Sequence, residues 1–118
     1  YREKGEKVGM VSIKSFRPFP IEEVFDTLKN CIAVGVLDRD VAFGTGGVVY
    51  EDVCRSLING GSNIHMMNLI LGIGGRDVTP GVIEKCFDLI IRSNINDRVD
   101  VYWPDVNLQL WENWKGKK

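Results

Sequence analysis

Short apolar runs alternate with helix-like patterns along most of this 118-residue chain. The runs cover residues 7–13, 32–37 and 64–73, and each is almost continuously apolar. Strands that are buried on both faces have this composition, and they occur mainly in parallel sheets whose strands are joined by helices. The alternation therefore predicts an α/β domain with a largely parallel sheet.

Three helices are predicted between and after these strands. The first begins at Pro20, which suits a first helical position. The second follows the glycine-rich turn "DRDVAFGTGG" (38–47) and ends at "NGG" (59–61), where glycine can adopt positive φ. The third has Thr79 as its N-cap and Pro80 at its first position.

The C-terminal part of the chain predicts one edge strand and one short helix. Residues 98–103 alternate strictly, as in a strand with one covered face. That face would carry Val99, Val101 and Trp103. A helix is predicted from about Val106 to Trp114 with Asp105 as its cap. Its apolar stripe includes Trp111 and Trp114, so the helix must either fold back on the domain or dock on another protein surface.

The charge balance excludes several classes of partner. Fifteen basic and sixteen acidic residues leave a formal charge of -1, which gives no overall attraction to nucleic acid or to an anionic membrane. No apolar run approaches the roughly 20 residues of a spanning helix, and the first residues resemble no signal peptide. We expect a cytoplasmic protein of one domain over residues 1–118, and the start at Tyr1 suggests a piece of a longer chain.

Three arginines each follow a predicted strand: Arg17, Arg39 and Arg76. Ligands of parallel sheets bind beyond the carboxyl ends of the strands, so these side chains and the adjacent glycine-rich loops could bind an anion. The same loops could also serve as structural ties or as an interface. The candidate residues are Arg17, Arg39, Gly44, Gly46, Gly47, Gly74, Gly75, Arg76 and Asp77.

Local carboxylates favour the structural interpretation of these loops. Arg39 lies between Asp38 and Asp40, and Arg76 precedes Asp77, so ion pairs or hydrogen-bonded loops explain the arginines without a ligand. "FGTGG" matches neither the P-loop nor the dinucleotide fingerprint. The interpretation as a phosphate site remains open as the alternative.

The sequence predicts no catalytic residue and no metal ligand. Cys31, Cys54 and Cys86 are widely spaced and indicate reduced, buried thiols rather than a zinc or iron–sulfur site. His65 lies within a predicted strand without a recognisable nucleophile, and Asp38 with Asp40 lacks the further residues of a magnesium-binding or phospho-accepting site.

Three segments in order carry a family resemblance: "KVGMVSIKSFRPFP", "AVGVLDRDVAFGTGGVVYEDV" and "LILGIGGRDVTPGVIEKCFDLI". Together they resemble the C-terminal domain of the α subunit of 2-oxoacid:ferredoxin oxidoreductases, of the pyruvate:ferredoxin oxidoreductase (pyruvate synthase) type. The resemblance covers residues 5–95 and leaves residues 96–118, the predicted edge strand and helix, unmatched.

The resemblance implies the fold of the transketolase C-terminal domain. This fold is a three-layer α/β/α sandwich around a mixed, mostly parallel five-stranded sheet with one antiparallel edge strand. It also implies a complex that oxidatively decarboxylates a 2-oxoacid with thiamine diphosphate, magnesium, coenzyme A, iron–sulfur clusters and ferredoxin. This chain lacks the family's diphosphate motif and cluster cysteines, so the domain itself is expected to bind no cofactor and to have no activity alone.

Two other functions remain open at this stage. One is an independent, flavodoxin-like module that binds a phosphate or nucleotide through "FGTGG" and the arginines. The other is a transketolase or dehydrogenase relative that does not use ferredoxin. The expected partners are the other domains or subunits of the oxidoreductase complex, with ferredoxin reached through that complex and a homodimer through the C-terminal helix. The sequence leaves open the particular 2-oxoacid, the direction of reaction and the subunit composition.

Overall fold

The computed structural model of the chain describes residues 1–96 and 99–115, without the side chains at positions 111, 114 and 115. Two strands form a parallel pair, β1 (Ala33–Asp38) and β2 (His65–Ile70). Their register places Ala33 opposite His65 and Asp38 opposite Ile70. The chain is thus a small α/β domain, and the predicted second and third strands are confirmed within a few residues of their ends.

Four α-helices accompany this sheet within residues 1–96 and 99–115. They are α1 (Ile21–Leu28), α2 (Val48–Asn59), α3 (Pro80–Arg92) and α4 (Leu108–Lys115), with short 3-10 turns at Arg2–Lys4 and Ile73–Gly75. None of the described helices is long and apolar enough to cross a membrane.

The helix-boundary signals in the sequence are largely confirmed. The Val82 amide donates to Thr79 Oγ1 at 3.3 Å, and Pro80 is the first residue of α3. Gly61 follows α2 with φ 77°, a conformation that glycine adopts without steric cost. Pro20 is the residue before α1 and not its first residue, so that boundary was predicted one position too early.

The core has a separate cluster for each side of the sheet. One cluster joins β1 to α1 and α2, and it consists of Phe19, Val24, Val36, Val53 and Leu57. The other joins the end of β2 to α3 through Leu69, Leu71 and Cys86. Because successive side chains of a strand point to opposite faces, Gly35 of β1 faces α3, where Ile90 occupies the space above it.

The strand predicted over residues 7–13 is wrong for this structure. These residues form no strand, and the side chain of Met10 is 85% exposed. Only Ile13 packs against the first core cluster. An apolar run forms a strand only where a neighbouring strand satisfies its backbone hydrogen bonds, and the described chain supplies no such partner for this segment.

The edge strand predicted over residues 98–103 is reduced to one isolated bridge. Tyr102 pairs with Leu69 in the parallel sense, while Arg98 lies outside the described residues. The predicted buried face is also wrong, because Val99 and Trp103 are exposed and Tyr102 packs against the second core cluster. The alternation identified two faces, but only the tertiary contact with Leu69 decides which one is covered.

The C-terminal helix begins two residues later than predicted, and its cap is a different residue. The amides of Gln109 and Leu110 donate to Asn107 Oδ1 at 3.1 and 3.3 Å. The predicted cap, Asp105, instead accepts hydrogen bonds from Gly72 and Arg76. The predicted stripe of Trp111 and Trp114 lies outside the described side chains.

Candidate functional site

The carboxyl ends of the paired strands meet at one edge of the sheet. Since β1, β2 and the Tyr102 bridge are all parallel, the loops that follow them lie at the same edge. We call this region the carboxyl edge and define it as residues 39–47, 71–79 and 103–107. It contains most of the loop residues that the sequence singled out as candidates.

Asp38, the last residue of β1, caps helix α2. The Val49 amide donates to its Oδ1 at 3.2 Å and the Tyr50 amide to its Oδ2 at 3.0 Å. Burial raises the pKa of Asp38, and although the hydrogen bonds from Tyr50 and Val49 oppose this effect, the pKa stays above its ordinary value. The chain's own carboxylate thus occupies two amides of the first turn that a phosphate would need.

Gly46 and Gly47 lie against polar side chains of the two strands. The Gly47 amide donates to Asn68 Oδ1 at 3.3 Å, within the buried interior. A Cβ at Gly46 would collide with the Asn68 amide nitrogen, and one at Gly47 would collide with the Asp38 carboxylate. These two glycines therefore allow the loop backbone to approach the strand ends closely.

The sequence did not single out Asn68 as a functional or structural residue. A buried amide inside the apolar run "IHMMNLIL" was the available signal, because a polar side chain in such a run must have a hydrogen-bond partner. The structure supplies that partner from the glycine-rich loop. Gly44, at the tip of the same loop, has φ 78°.

The second loop of the carboxyl edge is held by the C-terminal segment. The Gly72 amide donates to Asp105 Oδ2 at 2.8 Å, and Arg76 Nη1 donates to the carbonyl oxygen of Asp105 at 2.7 Å. The Arg39 side chain lies over Gly72, with its Nε 2.9 Å from the position that a Cβ would take there. Gly74 and Gly75 turn the loop with φ 71° and 79°.

The expected ion pairs between sequence neighbours are not formed. Across the described residues, no salt bridge joins Arg76 to Asp77, or Arg39 to Asp38 or Asp40. Asp77 is exposed, and the tie to Arg76 comes from Asp105, which is 29 residues away in sequence. A tie of this length depends on the fold and has no signature in the local sequence.

Arg17 is tied to helix α2 and not to the loops of the carboxyl edge. Its Nη1 lies 2.8 Å from Asp52 Oδ2, and its guanidinium stacks over the Phe16 ring at 4.0 Å. Arg55 contacts the other oxygen of Asp52 at 3.3 Å. Arg17 was expected at the carboxyl edge because it follows residues 7–13, and the absence of a strand there removes the basis for that expectation.

The contact between Asp105 and Gly72 gives a testable prediction. Asp105→Ala leaves the buried Gly72 amide without its acceptor, so the free energy of unfolding should fall by about 1–3 kcal/mol. The control is Asp77→Ala, which removes an exposed carboxylate and should change stability by about 0.5 kcal/mol or less. Urea denaturation of both variants measures the difference, and equal midpoints would contradict this role for Asp105.

The described residues do not fit a metal ion, an iron–sulfur cluster or a diphosphate. No group of three histidine, cysteine or acidic side chains in the described part of the chain could hold a metal.

Cys86 is buried, Cys54 is half-buried and Cys31 is exposed, so the prediction of buried thiols is wrong for Cys31. His65 is the first residue of β2, and its Nε2 is buried without a hydrogen-bond partner. The capped start of α2 is a poor site for a diphosphate.

A family model and individual relatives among known proteins point to the same family. Residues 1–83 match the model of pyruvate:ferredoxin oxidoreductase core domain II. The chain is 35% identical over 102 residues to pyruvate synthase subunit PorA of Methanothermobacter thermautotrophicus, covering 86% of this chain and 24% of that protein. It is 39% identical over 94 residues to PorA of Thermotoga maritima, covering 80% of this chain and 24% of PorA.

A relative named for a different substrate matches at similar identity. Ketoisovalerate oxidoreductase subunit VorA of Pyrococcus abyssi is 36% identical over 105 residues, covering 86% of this chain and 26% of VorA. The chain thus spans about a quarter of the length of these relatives. Because the family model matches more than half of the 118 residues, the chain belongs to the pyruvate:ferredoxin oxidoreductase core domain II family.

Proposed function

We propose that this chain is a non-catalytic structural domain of a 2-oxoacid:ferredoxin oxidoreductase subunit. The observation that carries the proposal is the family match over residues 1–83, together with PorA and VorA relatives over most of the chain. The hydrogen bonds in and beside the carboxyl edge support a structural role. Asp38 accepts from the start of α2, Asn68 accepts from Gly47, and Asp105 accepts from both Gly72 and Arg76. No observation favours the phosphate-binding module.

The proposed complex oxidatively decarboxylates a 2-oxoacid to an acyl-CoA and transfers the electrons to ferredoxin. Thiamine diphosphate, magnesium, coenzyme A and iron–sulfur clusters belong to other domains or subunits of the complex in this proposal. Relatives named for pyruvate and for ketoisovalerate share this domain at similar identity, which supports substrate selection elsewhere. A cytoplasmic location stays a prediction.

In the complete protein we propose the full transketolase C-terminal-like architecture, with residues 1–118 as one domain. That architecture is a three-layer sandwich around a mixed five-stranded sheet. The extended residues 7–13 retain the apolar composition of a buried strand, which supports their pairing when further strands are present. The nine candidate residues at the loops serve in this proposal as structural ties or as interface contacts between domains.

Helix α4 is proposed as a docking surface for the rest of the complex. Leu108 and Leu110 are exposed on this helix, so part of its apolar surface is left uncovered by the described chain. Truncation after Trp103 removes the helix but also Asp105, so the sharper change is truncation after Asn107, which retains the tie to Gly72. We expect this shorter chain to stay folded, as measured by circular dichroism, and to lose contacts with other subunits. Unfolding of the shortened chain would place the helix in the domain's own core.

The homodimer that the sequence predicts through the C-terminal helix also stays a prediction. The same truncation tests it, because a dimer formed by α4 would become monomeric in sedimentation velocity while a dimer formed elsewhere would persist.

The proposed function is tested on the native assembly that contains the chain, isolated with an antibody against the 118-residue chain. We expect this assembly to reduce a viologen dye when both a 2-oxoacid and coenzyme A are present. Pyruvate and 2-oxoisovalerate are supplied separately to distinguish the substrates. An assembly without such activity would contradict the family function, whereas turnover by the pure 118-residue chain would contradict a non-catalytic role.

A further inference from the structure

Helix α2 ends in an asparagine that is followed by a glycine. Asn59 is the last residue of the helix, Gly60 comes next, and both residues are exposed. No other asparagine in the sequence precedes a glycine. Asparagine is a thermolabile residue, and a following residue without a Cβ leaves its backbone nitrogen open to the asparagine side chain. Asn59 is therefore the asparagine of this chain whose neighbouring nitrogen is least hindered.

The local structure leaves both reacting groups available. Across residues 1–96 and 99–115, the side chain of Asn59 makes no hydrogen bond. The Gly60 amide donates to the carbonyl oxygen of Ser56 at 3.3 Å, which is longer than the usual range for an N–H···O bond. Helix ends fray, so this bond opens more readily than those in the middle of α2. Once it opens, the Gly60 nitrogen is free to turn towards the Asn59 side chain.

We propose that Asn59 is a site of spontaneous deamidation. The backbone nitrogen of Gly60 attacks the side-chain carbonyl carbon of Asn59 and loses its proton, and ammonia leaves as a succinimide ring closes. Water then opens the ring at either of its carbonyl groups and yields aspartate or isoaspartate at position 59. The reaction requires solvent water and no oxidant, and it does not depend on the oxidoreductase function.

Both products weaken the contact between α1 and α2. A carboxylate on the last residue of α2 lies at the negative end of the helix dipole. Asn59 also lines the groove between the two helices with Glu22, whose carboxylate forms no ion pair among the described residues. Isoaspartate in addition lengthens the backbone by a methylene group beside Gly60, where a Cβ would already collide with the Phe25 ring. The modified chain should therefore be less stable.

Peptide mass spectrometry of the 118-residue chain, incubated folded near neutral pH, tests the proposal. Cleavage after Arg55 and Arg76 releases one peptide that contains Asn59 and Asn63, so both positions are handled identically. We expect the mass of an aspartyl residue to accumulate at position 59, and part of it to be isoaspartate, the signature of the succinimide. Asn63 is equally exposed but precedes Ile64, and it should remain asparagine.

Two variants connect the chemistry to stability. Asn59→Gln has a longer side chain that closes such a ring less readily, so its melting midpoint should stay constant during incubation while that of the parent falls. Asn59→Asp carries the new charge from the start, and its midpoint should lie about 1–5 °C below that of the fresh parent. Circular dichroism before incubation confirms that both variants are folded, since the side chain at position 59 is exposed.

Four results would overturn the proposal. Position 59 could gain mass in urea but not in the folded chain, which would show that the helix end protects it. The gain could contain no isoaspartate, which would indicate direct hydrolysis of the side chain. Parent and Asn59→Gln could lose melting midpoint at the same rate, which would place the damage elsewhere. Finally, Asn59→Asp could melt with the fresh parent, which would show that the new charge does not weaken the helix contact.

Discussion

Gly47→Ala is expected to lower the free energy of unfolding by about 2–4 kcal/mol, because the new methyl group collides with the carboxylate that caps α2. Gly47 has φ -67° and ψ 138°, which alanine adopts without strain, so the effect isolates the close approach to Asp38. To relieve the collision, either the loop must move away from Asn68 or Asp38 must release the amides of Val49 and Tyr50. Urea denaturation monitored by circular dichroism gives the free energy.

Gly81→Ala provides the matched control for this substitution. Gly81 lies in the first turn of α3, and its added methyl group would meet nothing closer than Thr79 Oγ1 at 3.9 Å. Alanine has the higher helix propensity, so this variant should be unchanged or more stable by about 0.5 kcal/mol. If Gly47→Ala is as stable as Gly81→Ala, the described approach of the loop to Asp38 is wrong.

Asp38→Ala is expected to lower the free energy of unfolding by about 1–3 kcal/mol near neutral pH, because it removes the acceptor for two amides of α2. Asp40→Ala is the control, since Asp40 is exposed and accepts only the amide of the next residue, Val41. Thermal melts of the two variants should separate clearly. A loss in Asp40→Ala as large as in Asp38→Ala would show that the loop, and not the cap, is the sensitive feature.

The stability loss in Asp38→Ala should also depend on pH, and the raised pKa of Asp38 fixes the direction. Burial raises the pKa of Asp38 in the folded state above its ordinary value of 3.8. At a pH between the two pKa values, the Asp38 carboxyl is protonated in the folded protein and ionised in the unfolded chain. Its contribution to the free energy of unfolding is therefore complete below pH 3.8 and decreases as pH rises through the folded pKa. The destabilisation by Asp38→Ala should therefore be larger at about pH 4 than at about pH 7. A destabilisation that increases with pH would contradict the raised pKa.

The elements that the sequence predicts well are those set by local interactions. Thr79 and Pro80 specify the start of α3 through a side-chain hydrogen bond and a fixed φ, and both effects act within a few residues. The apolar runs around β1 and β2 predict strands from composition alone, and both strands form, although only β2 is largely buried and Leu37 of β1 is 41% exposed.

The predictions that fail depend on partners distant in sequence. Residues 7–13 have the composition of a strand, but strand formation requires a neighbouring strand, and the residues that the structure describes place none beside them. Asp105 is a residue type that often caps helices, yet its carboxylate accepts the Gly72 amide, and Asn107 caps α4 instead. In each case the local pattern is compatible with two structures, and the tertiary contact decides.

The candidate site shows the same division. Strand periodicity correctly places Arg39 and Arg76 beyond the ends of two parallel strands. Their nearest charges in sequence are not their partners, because Arg76 binds the backbone of residue 105 and Asp38 binds the start of α2. Asn68, a buried amide in an apolar strand, holds the glycine-rich loop to the sheet, and it is absent from the residues that the sequence singled out.

The central claim is that the loops of the carboxyl edge tie the domain together and bind no ligand. Isothermal titration calorimetry tests this claim most directly. The 118-residue chain is titrated separately with coenzyme A, thiamine diphosphate, flavin mononucleotide and ATP. The internal hydrogen bonds of Asp38, Asn68 and Asp105 predict no saturable heat for any of the four. Saturable binding of one of them that disappears in Arg39→Ala would contradict the structural role and establish an anion site at this edge.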